Sequence, residues 1–151
     1  MNNNEKGEIL GKLNKQFGIT NIPGKIIMRG KERMFLFTGN FDKDKLRALE
    51  EITPIERVGA YFAKRVENID EVRLSIEGTQ IFADQIKNNI FELSDEEVEE
   101  WMKGRELQIK TGKKGFLIMK YKDNFLGTGK ASEEKIGNFI PKNRRLKEKS
   151  N

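Results

Sequence analysis

A chain of 151 residues is long enough for one ordinary domain or two small ones, and its 36% hydrophobic and 35% charged residues describe a real core inside a densely ionic surface. Without cysteine or histidine, disulfides, thiol nucleophiles, imidazole bases and nearly every zinc, copper or haem site are excluded; an enzyme built from it has only carboxylates, lysines, tyrosines and hydroxyls. The net charge of +5 is uneven: residues 1–100 carry 15 Lys+Arg against 19 Asp+Glu, formally −4, and residues 101–151 carry 14 against 5, formally +9.

The basic last third is therefore the expected contact surface for a polyanion. The N-terminus has no charged region followed by an apolar run, and no window approaches the roughly 18 apolar residues of a membrane span. A cytoplasmic protein with no membrane partner is expected.

In chain order, Ile9, Leu10, Leu13 and Phe17 recur at helical spacing from about Lys6, and Gly18 follows as a stop. "KIIMR" (Lys25 to Arg29) and "RMFLFT" (Arg33 to Thr38) flank Gly30, Lys31 and Glu32 as a hairpin. Asp42 can cap a helix through Leu46, Leu49 and Ile52 that Pro54 closes. Ile55 to Val66 and Val72 to Ile76 read as extended, although "VGAYFAKRV" also fits a helix.

The strongest local signal is "ELSDEEVEEWMKGREL". Ser94 is the N-cap, Glu97 completes a capping box, Leu93 staples to Val98, and Gly104 ends the helix. The six acids between Glu92 and Glu100 suit the positive helix start and solvation better than catalysis. From Glu106 the pattern turns to strands: "ELQIK", "FLIMKY", "FLGTGK" and "KIGNFI", broken by Gly, Asp and Asn as in a small antiparallel barrel or curled sheet. "FLIMKY" is apolar at successive positions and is expected to be central, buried on both faces.

Three motif matches fail on context. "GTGKAS" lacks the third glycine and the strand-to-helix setting of a dinucleotide fingerprint; a phosphate loop needs glycine where Asn124 stands and Ser or Thr where Ala131 stands. Ser132 and Lys135 with Lys110, Thr111 and Gly112 echo two β-lactamase signatures, in reversed order and in too short a chain.

What remains is a basic surface. Lys113, Lys114, Lys130, Lys135, Lys142, Arg144 and Arg145 lie at turns or beyond the last strand, within reach of phosphates. Gly127 and Gly129 permit a bulge or a close backbone approach, and at an RNA-facing edge they bring phosphates near amide N–H groups. Asn138 can hydrogen-bond base edges or 2′-hydroxyls. Phe139 can stack on an unpaired base, but its alternation with Asn138 and Ile140 assigns it to the core.

The run from about Leu93 to Leu146 resembles the PUA-like RNA-binding domain at the C-terminus of Sun-type RNA cytosine-C5 methyltransferases. That pattern is an acidic helix ending in glycine, a core strand, Leu-Gly-x-Gly-Lys, Lys or Gly before Asn, an aromatic, and Pro-Lys with arginines. Its places hold Leu126, Gly127, Gly129, Lys130, Gly137, Asn138, Phe139, Pro141, Lys142, Arg144 and Arg145. Upstream, "FGI" at Phe17 to Ile19, the hairpin and "RVGAYFAKRV" resemble the pre-PUA module of the same enzymes.

The resemblance implies an α+β fold: a small mixed α/β pre-PUA module over residues 1–70, a PUA-like β-barrel with short helices over 71–147, and a flexible tail at 148–151. Those methyltransferases attack cytosine with a cysteine and hold S-adenosylmethionine on a Rossmann-like domain; this chain has no cysteine and no fingerprint for that cofactor. The implied protein is non-catalytic, without cofactor or metal, and recognises structured RNA, rRNA or tRNA, in RNA modification or ribosome biogenesis. It acts alone or beside a separate RNA methyltransferase or ribosome-assembly protein. A reading of a different class, an interaction adaptor or regulatory subunit, sets the acidic helix Ser94 to Lys103 against a protein partner.

Overall fold

The computed structural model describes residues 1–37, 59–66 and 69–147. The helix expected after Asp42 and the tail at 148–151 lie outside the described residues.

Helix α1 (Asn3–Phe17) starts at Asn2, whose side chain accepts the Glu5 N–H at 2.8 Å. Ile9, Leu13 and Phe17, four residues apart, form its buried stripe; Gly18, at φ 84°, ends it by returning its N–H to the Asn14 carbonyl at 2.9 Å. The first sheet has the order β1 (Lys25–Arg29), β2 (Arg33–Phe37), β3 (Ala60–Val66), β4 (Glu71–Leu74), antiparallel throughout. Within "VGAYFAKRV", Ala60–Val66 is thus strand. The Gln16 side chain pairs with both backbone groups of Val72, at 2.8 and 3.0 Å, and ties α1 to the edge strand β4.

Sequence reasoning missed helix α2 (Ile76–Ile81), capped by Ser75. Six residues containing Gly78 and Thr79 carry little helical propensity. Packing supplies what propensity does not: Gly78 lies so close to β3 that an added Cβ would stand 2.0 Å from the Phe62 carbonyl oxygen.

The second sheet runs β5 (Ile90–Glu92), β6 (Gly115–Tyr121), β7 (Asn124–Ala131), β8 (Ile136–Asn138), with β5 parallel to β6 and the other pairs antiparallel. The short parallel β5 was not legible in the sequence. "ELQIK" forms no strand; only Leu107 bridges Ile136, through backbone hydrogen bonds of 2.8 and 3.0 Å. The α+β class is as expected. Among the described residues, the curled strands make this open sheet beside the first rather than a closed barrel.

Strand β6 is central and doubly buried, as its apolar run demands. Phe116 and Ile118 enter the core of α1 and the first sheet; Leu117 and Met119 point to a second core around Trp101 and Ile136. Helix α3 (Asp95–Met102) closes that core. Both halves of the Ser94/Glu97 capping box form, at 2.8 and 3.2 Å, and Trp101 is 0% exposed with its indole N–H donated to the Leu126 carbonyl at 2.9 Å.

Candidate nucleic-acid interface

The C-terminal residues singled out from the sequence divide by environment. Gly127 and Gly129 are buried: the Gly127 N–H donates to Thr79 Oγ1 at 3.2 Å, and a Cβ on Gly129 would stand 2.6 Å from Ile136 and 3.0 Å from Trp101. Both lie against protein, and Gly127, at φ 88°, needs its conformational freedom for that approach.

Asn138 and Arg145 secure the C-terminal end of α3, where carbonyls lack helical partners. The Asn138 amide donates to the Trp101 and Arg105 carbonyls at 2.9 and 3.0 Å, while its oxygen accepts the Ile140 N–H at 2.7 Å. Arg145 covers Gly104 and donates from Nε to the Ile140 carbonyl at 2.9 Å; Leu146 N–H reaches the Met102 carbonyl at 2.7 Å. Asn138→Ala is therefore expected to lower stability by about 2 kcal/mol, since three backbone groups lose partners worth about 1 kcal/mol each less what water recovers. Urea unfolding measures this, and an unchanged midpoint would return Asn138 to the set available for base contacts.

Several cations carry carboxylates of their own. Lys114 faces Glu133 at 3.9 Å, Lys135 faces Glu106 at 2.8 Å, and Arg144, in the short 3-10 turn Lys142–Arg144, pairs with Glu77 at the start of α2. These pairs are exposed enough to exchange a carboxylate for a phosphate at little cost. Lys113, Lys130 and Lys142 are exposed.

A second cationic surface lies where sequence reasoning did not look. Arg33 on β2, Lys64 on β3 and Arg73 on β4 are direct register partners, a row of three cations across three adjacent strands. At about 4.8 Å per strand the row spans roughly 10 Å. Like charges directly opposite one another destabilise a sheet, a cost that this row carries. Glu32 offsets it in part, 3.2 Å from Lys64.

Aromatic rings interleave with these cations: Arg33 lies 4.7 Å from the Tyr61 ring centroid, Arg73 4.1 Å from that of Phe139, and Lys130 5.9 Å from that of Phe116. Phe116 and Phe139 meet edge-on at 6.2 Å. Phe139 is not a core residue: its ring is 38% exposed while its neighbour Ile140 is buried, because the chain leaves β8 at Asn138 and strand alternation no longer applies. Two clefts share Arg73 and Phe139 as a common wall. One, of about 260 Å³, is lined by Glu32, Lys64, Arg65, Phe116 and Lys130; the other, of about 100 Å³, by Tyr61, Leu74, Ile76, Thr128, Pro141 and Arg144.

The signal for this seam was present in "YFAKRV" and "EVRL". Once Val72 and Leu74 are assigned inward, Arg73 faces outward, and only the register places Lys64 beside it. Asp70, on the surface by α1, has its carboxyl held below the ordinary range by the hydrogen bond and charge of Lys12 at 2.8 Å. Among the described residues there is no cluster of acids able to hold a metal, and no helix is long and apolar enough to cross a membrane.

Residues 88–146 match the family described as the methyltransferase RsmF PUA domain, in agreement with the resemblance read from Leu93 to Leu146. The chain is also 29% identical over 131 residues to Ribosomal RNA small subunit methyltransferase F of Psychromonas ingrahamii, a match covering 84% of this chain and 26% of that protein. The chain thus spans about a quarter of the length of this relative, and the match reaches well upstream of residue 88.

Proposed function

We propose that this chain holds structured RNA, with small-subunit rRNA the first candidate, and serves RNA modification as a binding rather than a catalytic component. The observation that carries the reading is the Arg33–Lys64–Arg73 row, continued by Lys130 across the seam and flanked by the exposed Phe139 and the half-buried Tyr61. Cations at strand spacing neutralise successive phosphates and release counterions; rings between them offer stacking surfaces. Lys113, Lys114, Lys135, Lys142 and Arg144 extend the positive field around the second sheet, and Arg144 exchanges Glu77 for phosphate when RNA arrives.

The non-catalytic part rests on chemistry. Methylation of cytosine at C5 through a covalent enzyme–base adduct, the chemistry that the resemblance to Sun-type methyltransferases implies for them, needs a thiolate, and this chain has no cysteine. A separate methyltransferase or ribosome-assembly protein is the natural companion of such a component. The test pairs two titrations. Folded rRNA fragments are expected to bind more tightly than an unstructured oligonucleotide of equal length, with tRNA as the second folded probe; S-adenosylmethionine is expected to give no binding heat in calorimetry. Heat from S-adenosylmethionine, or equal affinity for folded and unstructured RNA, contradicts the proposal.

A further inference from the structure

We infer that the smaller cleft beside Phe139 receives one unpaired nucleotide of the bound RNA, its base on the Phe139 ring and its flanking phosphates on Arg73 and Arg144. This rests on the RNA-binding reading above and assigns a particular job to one part of the seam.

Two features separate this cleft from an ordinary charged surface. First, it is a recess with apolar walls, Leu74, Ile76 and Ile140, under a mouth formed by Arg73 and the Arg144–Glu77 pair. A duplex presents phosphates to a convex or flat surface and cannot push a paired base into a recess, whereas an unpaired base can be splayed out and stacked. The Arg73 guanidinium, 4.1 Å from the Phe139 ring centroid, already stacks on that ring and fixes it at the mouth of the cleft. Second, the lining includes Thr128, 3% exposed, whose hydroxyl has no hydrogen-bond partner among the described residues. An orphaned buried hydroxyl costs stability unless something occupies it, and a base edge carries the donors and acceptors to do so.

A lone exposed aromatic ring is common on protein surfaces and by itself means nothing. Here the ring stands under an arginine, beside a second ring and at the mouth of a cleft with an unsatisfied hydroxyl. That conjunction points to a base.

The test uses the full chain and two RNA hairpins of identical stem, one fully paired and one with a single bulged 2-aminopurine, whose fluorescence falls on stacking. The parent protein is expected to quench the bulge and to bind the bulged hairpin about tenfold more tightly, in the range of one base–aromatic stack. Phe139→Leu should abolish both the quenching and the preference while still binding the paired hairpin; Phe139→Tyr should retain both. If thermal melting shows the leucine variant unfolded, quenching by the parent and the tyrosine variant decides alone. Equal binding of both hairpins without quenching by the parent, or quenching that survives in Phe139→Leu, overturns the base slot and leaves the RNA reading standing. Failure of both hairpins to bind overturns the two together.

Discussion

Replacing Arg33, Lys64, Arg73 and Lys130 together by glutamine is expected to lower affinity for folded RNA by roughly a hundred- to a thousandfold at about 0.15 M salt, and to reduce the slope of log affinity against log salt by about three units. The size follows from counterion release, since each neutralised phosphate contributes about 0.7 to 0.9 to that slope. The loss is similar across RNA sequences, because phosphates carry no sequence information.

The same substitutions are expected to change stability by no more than about 1 kcal/mol, because relief of the like charges offsets the lost cation–π contacts and the Lys64–Glu32 pair. Arg33, Lys64 and Arg73 are cross-strand neighbours of like charge, and among the described residues it is the Glu32 carboxylate that pairs with the row, through Lys64. A large loss of binding with little change in stability distinguishes a functional row from a structural one. A variant that binds as the parent does, or that unfolds far more easily, would remove the row from the interface. Thermal melting and a salt series of binding titrations on the same preparations supply both numbers.

Trp101→Ala is the substitution expected to damage the fold most, by about 3–5 kcal/mol out of the 5–15 that a domain of this kind possesses. Trp101 is fully buried, its indole N–H is the partner of the Leu126 carbonyl, and Gly129 sits without a Cβ to make room for it. Truncation opens a cavity and orphans a carbonyl together. Urea unfolding followed by circular dichroism reads the loss. A change below about 1 kcal/mol would mean that the second core closes without the indole.

What the sequence disclosed and what it withheld follow from the range of the interactions. The Ser94/Glu97 capping box, the Gly18 stop and the doubly buried "FLIMKY" strand are set by residues within a few positions of one another, and the structure has all three. Helix α2 escaped notice because its stability comes from Gly78 lying on the Phe62 backbone, a contact sixteen residues distant that no propensity encodes. Strand β5 pairs in parallel with a strand more than twenty residues away, again invisible locally.

The site was harder still. A count of charge led to the C-terminal third, where Lys114, Lys135 and Arg144 face carboxylates and Asn138 and Arg145 secure the end of α3. Arg33, Lys64 and Arg73 lie in a half whose net charge is acidic, and only strand register sets them in line. Phe139 was assigned inward by alternation that ends one residue earlier, at Asn138. Local rules read elements well; a surface assembled from four strands needs the pairing between them.

The most direct test of RNA binding at the seam is fluorescence anisotropy of a labelled, folded small-subunit rRNA fragment titrated with the parent chain between about 50 and 200 mM salt. The expected result is tight binding at low salt that weakens steeply along this series and exceeds binding to an unstructured oligonucleotide of the same length. Weak binding with a flat salt dependence and no preference for folded RNA would contradict it, leaving the cationic row without a phosphate partner.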